Sequence, residues 1–299
     1  MRFARLGRPG DEIPVLLDGD RAFDLRPLVA ELRSAAFGGT VGGAELASAD
    51  LDGAFLAAGG LAAAREARAA GRLTEIDAAG LRVGAPIARP SAVYCIGMNY
   101  AAHAAESGAE PPAEPVVFMK APNTIVGPDD AIAIPAGSTK TDWEVELGLV
   151  IGTRTDTLDD PARAREHVAG YVVANDLSER DWQLGRVGGQ WTLGKSAPGF
   201  CPLGPWLVPG DAFDADDARL RSWVNGEPRQ DSRTSDLIFG IDRIVWELSR
   251  FLVLEPGDLV LTGTPEGVAL SGRFPYLAPG DVVELEIDGL GRQRQEVIG

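Results

Sequence analysis

Two carboxylates, Glu144 and Glu146, stand in the stretch Asp142-Trp143-Glu144-Val145-Glu146-Leu147-Gly148-Leu149-Val150-Ile151. Trp143, Val145, Leu147, Leu149 and Ile151 recur with period two, which reads as a β-strand. Alternate side chains on a strand point to opposite faces, so the apolar set packs one way and both glutamates point the other. Carboxylates about 7 Å apart along a strand repel unless water or a cation lies between them. Oxygen donors suit a hard divalent ion, and Mg²⁺ usually takes one or two protein carboxylates plus water and substrate oxygens. The plainer alternative is a half-exposed strand with a solvated acidic face.

Other residues could join that chemistry. Asp176 follows the apolar run Tyr171-Val172-Val173-Ala174-Asn175 and could give the cation a third oxygen. Its alternative is an ordinary strand-end turn. His103 and Glu106 lie three apart on a short helical stretch and so share a face. A carboxylate beside an imidazole raises its basicity and fixes its tautomer, as in a general base that activates water. The alternative there is a surface ion pair. Lys195, in Thr192-Leu193-Gly194-Lys195-Ser196, could neutralise a carboxylate or a developing oxyanion; its alternative is a solvated loop lysine. The stretch Thr262-Gly263-Thr264-Pro265-Glu266-Gly267 ends a strand with small residues and two hydroxyls, suited to close approach of a ligand or to no more than a tight turn. His167, among Arg163, Arg165 and Glu166, reads as a solvated helix residue. No nucleotide-binding glycine fingerprint, phosphate loop, glycine-flanked nucleophilic serine or zinc spacing occurs.

The elements that must hold these residues divide the chain in two. Residues 1–85 read as a small α+β module without chemistry. It holds a hairpin over 13–24 turning at Asp18-Gly19-Asp20, a short helix from Pro27, and an Ala-rich helical run over 44–71 broken at Gly59-Gly60. From residue 86 to 299 short strands and turns dominate. Asn99 is placed to cap the helix 101–106. The Pro- and Glu-containing segment 108–115 reads as a mobile loop, and 186–194, with its Gly188-Gly189 pair, as a loop. Strands are expected over 205–208 and 221–225, and an amphipathic helix over 241–252. Few helices separate the strands, so the fold class is α+β, mainly β, and largely antiparallel.

Composition narrows the partners. A net charge of −16 argues against nucleic acid and anionic lipid surfaces. No apolar leader region and no run of eighteen apolar residues occurs, so the chain reads as neither secreted nor membrane-spanning. Cys95 and Cys201 match no metal or redox spacing and fit a reducing cytoplasm. Only three of the 28 basic residues are lysine, and Lys120, Lys140 and Lys195 all fall around the acidic strand. An Arg-rich chain can keep lysine where a compact ammonium is wanted.

Taken together, Gly97-Met98-Asn99-Tyr100 with His103 and Glu106, the segment 142–152, Asn175-Asp176 with 178–183, Gly194-Lys195-Ser196, Val224-Asn225-Gly226-Glu227 and 262–268 resemble, in order and spacing, the fumarylacetoacetate hydrolase family. The resemblance runs from about residue 90 to the end. The N-terminal module resembles the small extra domain of many bacterial members. The resemblance implies a mixed β-sandwich or β-roll core and a homodimer. It also implies Mg²⁺ or Mn²⁺ on Glu144, Glu146 and Asp176. Family members act on 2-oxo or 1,3-dicarbonyl acids, most often hydrolysing a carbon–carbon bond. His103 and Glu106 match the water-activating dyad, on a segment that closes over substrate. Arg180, Gln183, Lys195 and Thr264 match substrate-contacting positions.

The style of the 140–144 and 178–181 motifs is similar to the branch acting on diketo-sugar acids. Glu179 and Ala197-Pro198-Gly199-Phe200 depart from the usual pattern close to the expected pocket, which bears on the substrate. Three readings stand: a C–C hydrolase of acylpyruvate-like or diketo-sugar acids, an isomerase or decarboxylase of a 2-oxo-dicarboxylate built on the same enolate site, and a non-catalytic binding protein.

Overall fold

The computed structural model describes residues 1–37, 49–106, 108 and 110–299, so residues 44–48 of the expected helical run lie outside the described residues. The first 84 residues fold an antiparallel five-stranded sheet in the order Thr74–Ile76, Arg21–Asp24, Asp11–Asp18, Arg2–Arg8, Val83–Gly84. The expected hairpin is there, and helices Arg26–Phe37, Gly53–Ala57 and Gly60–Ala69 lie between its strands in sequence.

The centre is a six-stranded mixed sheet. Its order is Val208–Pro209, Val168–Asn175, Val145–Ile151, Leu259–Leu261, Val93–Gly97, Val116–Lys120. Only Leu259–Leu261 and Val93–Gly97 run parallel; the other neighbours are antiparallel. A second five-stranded sheet, built on Arg219–Val224, Glu227–Arg233, Val282–Ile287 and Gly291–Ile298 with Ile132–Ala133 at its edge, packs on one face of the first. The fold is therefore α+β and mainly β.

The acidic strand is buried on both faces, not half-exposed. Trp143, Val145, Leu147, Leu149 and Ile151 enter the core between the sheets, as period two requires. The opposite face begins with Glu144 and Glu146 and continues to Val150, which packs with Val93, Cys95, Val172, Leu259 and Leu261 against Phe3, Leu16 and Phe55 of the N-terminal part. A strand covered on both sides loses any solvated acidic face.

That shared core gives the division at residues 85/86, which we propose, a test. Residues 86–299 made alone would expose the Val93–Leu261 face and should bind a hydrophobic dye more strongly than the full chain. Equal dye binding would dispose of the packing argument.

Local departures have simple causes. Asn99 does not cap the helix Ala101–Glu106. Its amide donates to the carbonyls of Thr262 (2.8 Å) and Phe239 (3.0 Å) and accepts from the Phe239 N–H (2.8 Å). It pins the strand end to two remote loops instead. The stretch 186–194 is only partly loop, because Trp191–Lys195 is helical. The 205–208 strand shrinks to Val208–Pro209. Among the described residues no helix is long and apolar enough to cross a membrane.

Candidate functional site

Glu144, Glu146 and Asp176 meet at the ends of adjacent strands. The Asp176 N–H donates to the Glu144 carbonyl (3.0 Å), and the Glu144 N–H donates to Asn175 Oδ1 (3.1 Å). One oxygen from each of the three carboxylates lies within 4.8 Å of the others, and all three residues are buried.

Three buried cations surround them. Lys195 Nζ donates to Glu144 Oε2 (2.6 Å) and Asp176 Oδ2 (2.7 Å). Lys120 Nζ donates to Asp176 Oδ1 (2.6 Å) and the Leu177 carbonyl (3.0 Å). Arg180 donates to Asp142 Oδ2 (2.8 Å) and Glu144 Oε1 (2.6 Å). Asp142 also accepts from the N–H groups of Trp143, Ala269 and Leu270, so it is a fixed structural anion.

Burial opposes ionisation of Glu144, but the charges of Lys195 and Arg180 prevail and hold it at about 2. Burial, reinforced by the charges of Asp176 and Glu144, pushes Glu146 well above the usual carboxylate range. Its hydrogen bond from the Gly263 N–H (2.8 Å) does not offset this.

These residues fit a hard divalent cation. Four buried carboxylates, Asp142, Glu144, Glu146 and Asp176, face three buried cations, Lys120, Arg180 and Lys195. Among the described residues the carboxylate of these four without a cation of its own is Glu146. The donors are all oxygen, with no sulfur or imidazole in the cluster, which favours Mg²⁺ or Mn²⁺ over zinc or copper.

Lys120 is a site residue that the sequence reading did not single out for chemistry, as are Arg273, Phe118, Leu184 and Trp191, which give no local signal. For Lys120 the available signal was its restriction with Lys140 and Lys195 to one region; Lys140 proves to be exposed and paired with Asp181. Lys120→Met should destabilise the chelated protein by about 3–5 kcal/mol, because Asp176 keeps its charge and loses a buried partner. Urea unfolding checks this, and a loss below 1 kcal/mol would show that Lys195 alone suffices.

The second group is the dyad. His103 Nδ1 lies 3.0 Å from Glu106 Oε1, and both residues line the same cavity, of about 270 Å³, as Glu144, Glu146, Arg180, Gln183, Lys195 and Thr264. Eight of the nine sequence candidates thus line one cavity, and Asp176 joins them through Lys195 and the carboxylate cluster.

Glu106 is held from three sides. The Gly267 N–H reaches both its oxygens (3.0 and 3.1 Å), and Arg273 Nη2 donates to Oε2 (3.0 Å). Burial alone would raise Glu106; the bonds from His103 and Gly267 and the charge of Arg273 turn the shift downward. Gly267 has φ +104, and a Cβ there would come 2.1 Å from the Arg229 carbonyl. Gly267→Ala should therefore displace this donor and lower kcat about tenfold or more while the metal-induced thermal shift persists. An unchanged kcat would show that Gly267 does not position the dyad.

Thr264 is fixed within the fold. Its hydroxyl donates to the Val145 carbonyl (3.0 Å) and accepts from Gln230 Nε2 (2.7 Å). Gln183 accepts from Arg180 Nη1 (2.9 Å). Glu179 turns away from the cavity. It accepts from the Ser138 hydroxyl and from the N–H groups of Lys140 and Asp181 (both 3.2 Å), and so caps the helix Arg180–Leu184. Neither Glu179 nor Ala197-Pro198-Gly199-Phe200 lines the cavity, and Glu179 bears on it only through the helix it caps. His167 bonds Thr155 Oγ1 (2.9 Å), remote from the cluster in role as expected.

The sequence model of the fumarylacetoacetate (FAA) hydrolase C-terminal family matches residues 92–298. The chain belongs to this family. Over 307 aligned residues it is 43% identical to a Burkholderia cenocepacia protein whose name says no more than hydrolase, covering 99% of this chain and 98% of that one.

Among solved structures, 5-carboxymethyl-2-hydroxymuconate delta-isomerase from Mycobacterium smegmatis aligns at TM-score 0.74 and 34% identity, covering 100% of this chain and 98% of that one. Maleylpyruvate hydrolase from Sphingobium sp. SYK-6, solved with manganese(II) and pyruvate, aligns at TM-score 0.75 and 26% identity, covering 100% and 99%. Proteins named as a hydrolase and as an isomerase thus share this fold.

Proposed function

We propose that this protein is a divalent-metal-dependent hydrolase that cleaves a carbon–carbon bond in a 2-oxo or 1,3-dicarbonyl acid of the acylpyruvate or diketo-sugar-acid kind. The observation that carries this reading is that the His103–Glu106 pair and the buried acids open on one cavity. Glu144, Glu146 and Asp176 would hold Mg²⁺ or Mn²⁺. When bound, the ion supplies Lewis acidity toward the 2-oxo acid's oxygens and compensates developing negative charge.

The chain's own groups supply the rest. With Nδ1–H donated to Glu106, His103 keeps its lone pair on Nε2. That nitrogen takes a proton from water, and the water oxygen bonds to the distal carbonyl carbon. Collapse of the adduct breaks the carbon–carbon bond, and its electron pair passes into the enolate of the departing 2-oxo acid. Lys195 offsets charge on that side, and the proton on His103 can return to the enolate carbon. Arg180, Gln183 and Thr264 orient the acid.

A second reading, isomerase or decarboxylase of a 2-oxo-dicarboxylate, draws support from the isomerase neighbour, because the same enolate serves each reaction. An assay with Mg²⁺ or Mn²⁺ in ¹⁸O-water separates the two. Label in the carboxylate of the cleaved acid supports hydrolysis. CO₂ from oxaloacetate, or a tautomer shift without cleavage, supports the second reading. Metal binding without turnover of any 2-oxo acid would leave a binding protein.

We further propose a homodimer, testable by light scattering. A reducing cytoplasm is proposed too, supported by Cys95 and Cys201, both buried and unbridged.

A further inference from the structure

We infer that the cavity selects 2-oxo acids whose far end is an uncharged, apolar acyl group, against analogues ending in a carboxylate or a run of hydroxyls. This rests on the proposed 2-oxo-acid reading and deepens it. Two short helices, Arg180–Leu184 and Trp191–Lys195, pack together through a close approach of Gly194 to Gln183 and a bond from the Gln190 N–H to the Gln183 carbonyl (2.8 Å).

Arg180 and Lys195 both bind Glu144, so the start of the first helix and the end of the second meet at the acids. One turn away, about 5.4 Å along each helix, stand Leu184 and Trp191. The polarity of the cavity therefore runs from charged to apolar along both helices at once.

The apolar side is built rather than incidental. Trp191 packs edge-on against Phe118 with ring centroids 5.2 Å apart. Its indole fits over Gly97, where a Cβ would lie 2.3 Å from the ring. Ile96, Met98 and Leu270 complete that lining.

A distal carboxylate would find no free cation there. Among the described residues Arg180 and Lys195 are the cations lining the cavity, and both stand at its acidic end beside Asp142, Glu144 and Asp176, away from Leu184 and Trp191. Arg273 is paired with Glu106, and Arg186 is exposed and outside the lining. Residues 107–115 contain no lysine or arginine. Glu106 on the same cavity would repel a second carboxylate, and an apolar wall gives hydroxyls no partners.

The test is binding to the Mn²⁺-loaded full chain, by calorimetry, of eight-carbon acids that differ only at the far end: 2-oxooctanoate, 2-oxosuberate and a 2-oxo acid hydroxylated along its tail. The monoacid should bind at least tenfold more tightly than either. Leu184→Arg, at a half-exposed position that tolerates charge, should erase or reverse the preference over 2-oxosuberate. Arg186→Ala should leave the order unchanged. Equal or tighter binding of 2-oxosuberate overturns the inference, and so does an order that depends on Arg186. Failure of all three acids to bind removes the 2-oxo-acid reading and this inference with it. The expected order without carbon–carbon cleavage of any acylpyruvate would sustain the inference while defeating the proposed reaction.

Discussion

Glu146→Gln should make the chelated protein more stable and abolish its response to Mg²⁺ or Mn²⁺. Four buried carboxylates against three buried cations leave one negative charge without a partner. Burial and the charges of Asp176 and Glu144 load that excess on Glu146 and raise its pKa.

A carboxyl raised in the folded state contributes stability that is fully present below its unfolded value, about 4.3, and is lost as pH climbs toward the folded value. Chelated wild-type protein should therefore lose stability from about pH 4.5 upward. A bound divalent ion reverses the sign, because it competes with the proton and favours the ionised form. At a metal concentration one hundred times Kd it adds about 2.7 kcal/mol.

Glutamine has nearly the same shape, keeps an oxygen for the Gly263 N–H, and carries no charge. It should remove both the pH-dependent penalty and the metal-dependent gain, and turnover should fall more than about 10²-fold. Thermal unfolding at pH 5.5 and 8, with chelator and with metal, reads all of this. A glutamine variant that still gains stability from metal, or a chelated wild type that gains stability toward pH 8, would remove Glu146 from the metal site.

Much of this site was legible before any coordinates because strands and short helices impose simple periodicities. Glu144 and Glu146 share a face by period two, and His103 meets Glu106 by helical spacing. Asp176 could be placed because an apolar run ended beside it. What stayed hidden depends on contacts distant in sequence. Lys120 reaches Asp176 across 56 residues, and Gly267 reaches Glu106 across 161. No local pattern encodes such distances.

The same logic explains the errors. Asn99 looked like a helix cap because caps are read locally, but Thr262 and Phe239 compete for its amide and win. Glu179 does lie close to the pocket, as its neighbour Arg180 lines it, but its side chain does not enter it. A strand-to-helix junction turns its side chain toward Ser138 instead.

His103→Ala should keep the metal-induced thermal shift and bind 2-oxo acids within a few-fold of wild type, yet lose about 10²–10⁴ in kcat for hydrolysis. The residue is buried at the cavity wall, and among the described residues its side-chain hydrogen bond is to Glu106 on its own helix, so truncation leaves the hydrogen bonds of the carboxylate cluster in place. Added imidazole can enter the space vacated by the ring and should restore part of the rate, which a purely structural role would not allow.

Glu106→Gln should cost less than His103→Ala. An amide oxygen still accepts the Nδ1–H and preserves the tautomer, although it no longer stabilises the imidazolium that forms when water is deprotonated. The pair of variants also separates the competing chemistries. Hydrolysis needs a base for water, whereas decarboxylation of a 2-oxo-dicarboxylate needs only charge compensation on the enolate side, the role proposed for Lys195. Loss of acylpyruvate cleavage with oxaloacetate decarboxylation retained would assign the dyad to water and the lysine to the enolate. Full hydrolysis in His103→Ala would take the dyad out of the reaction.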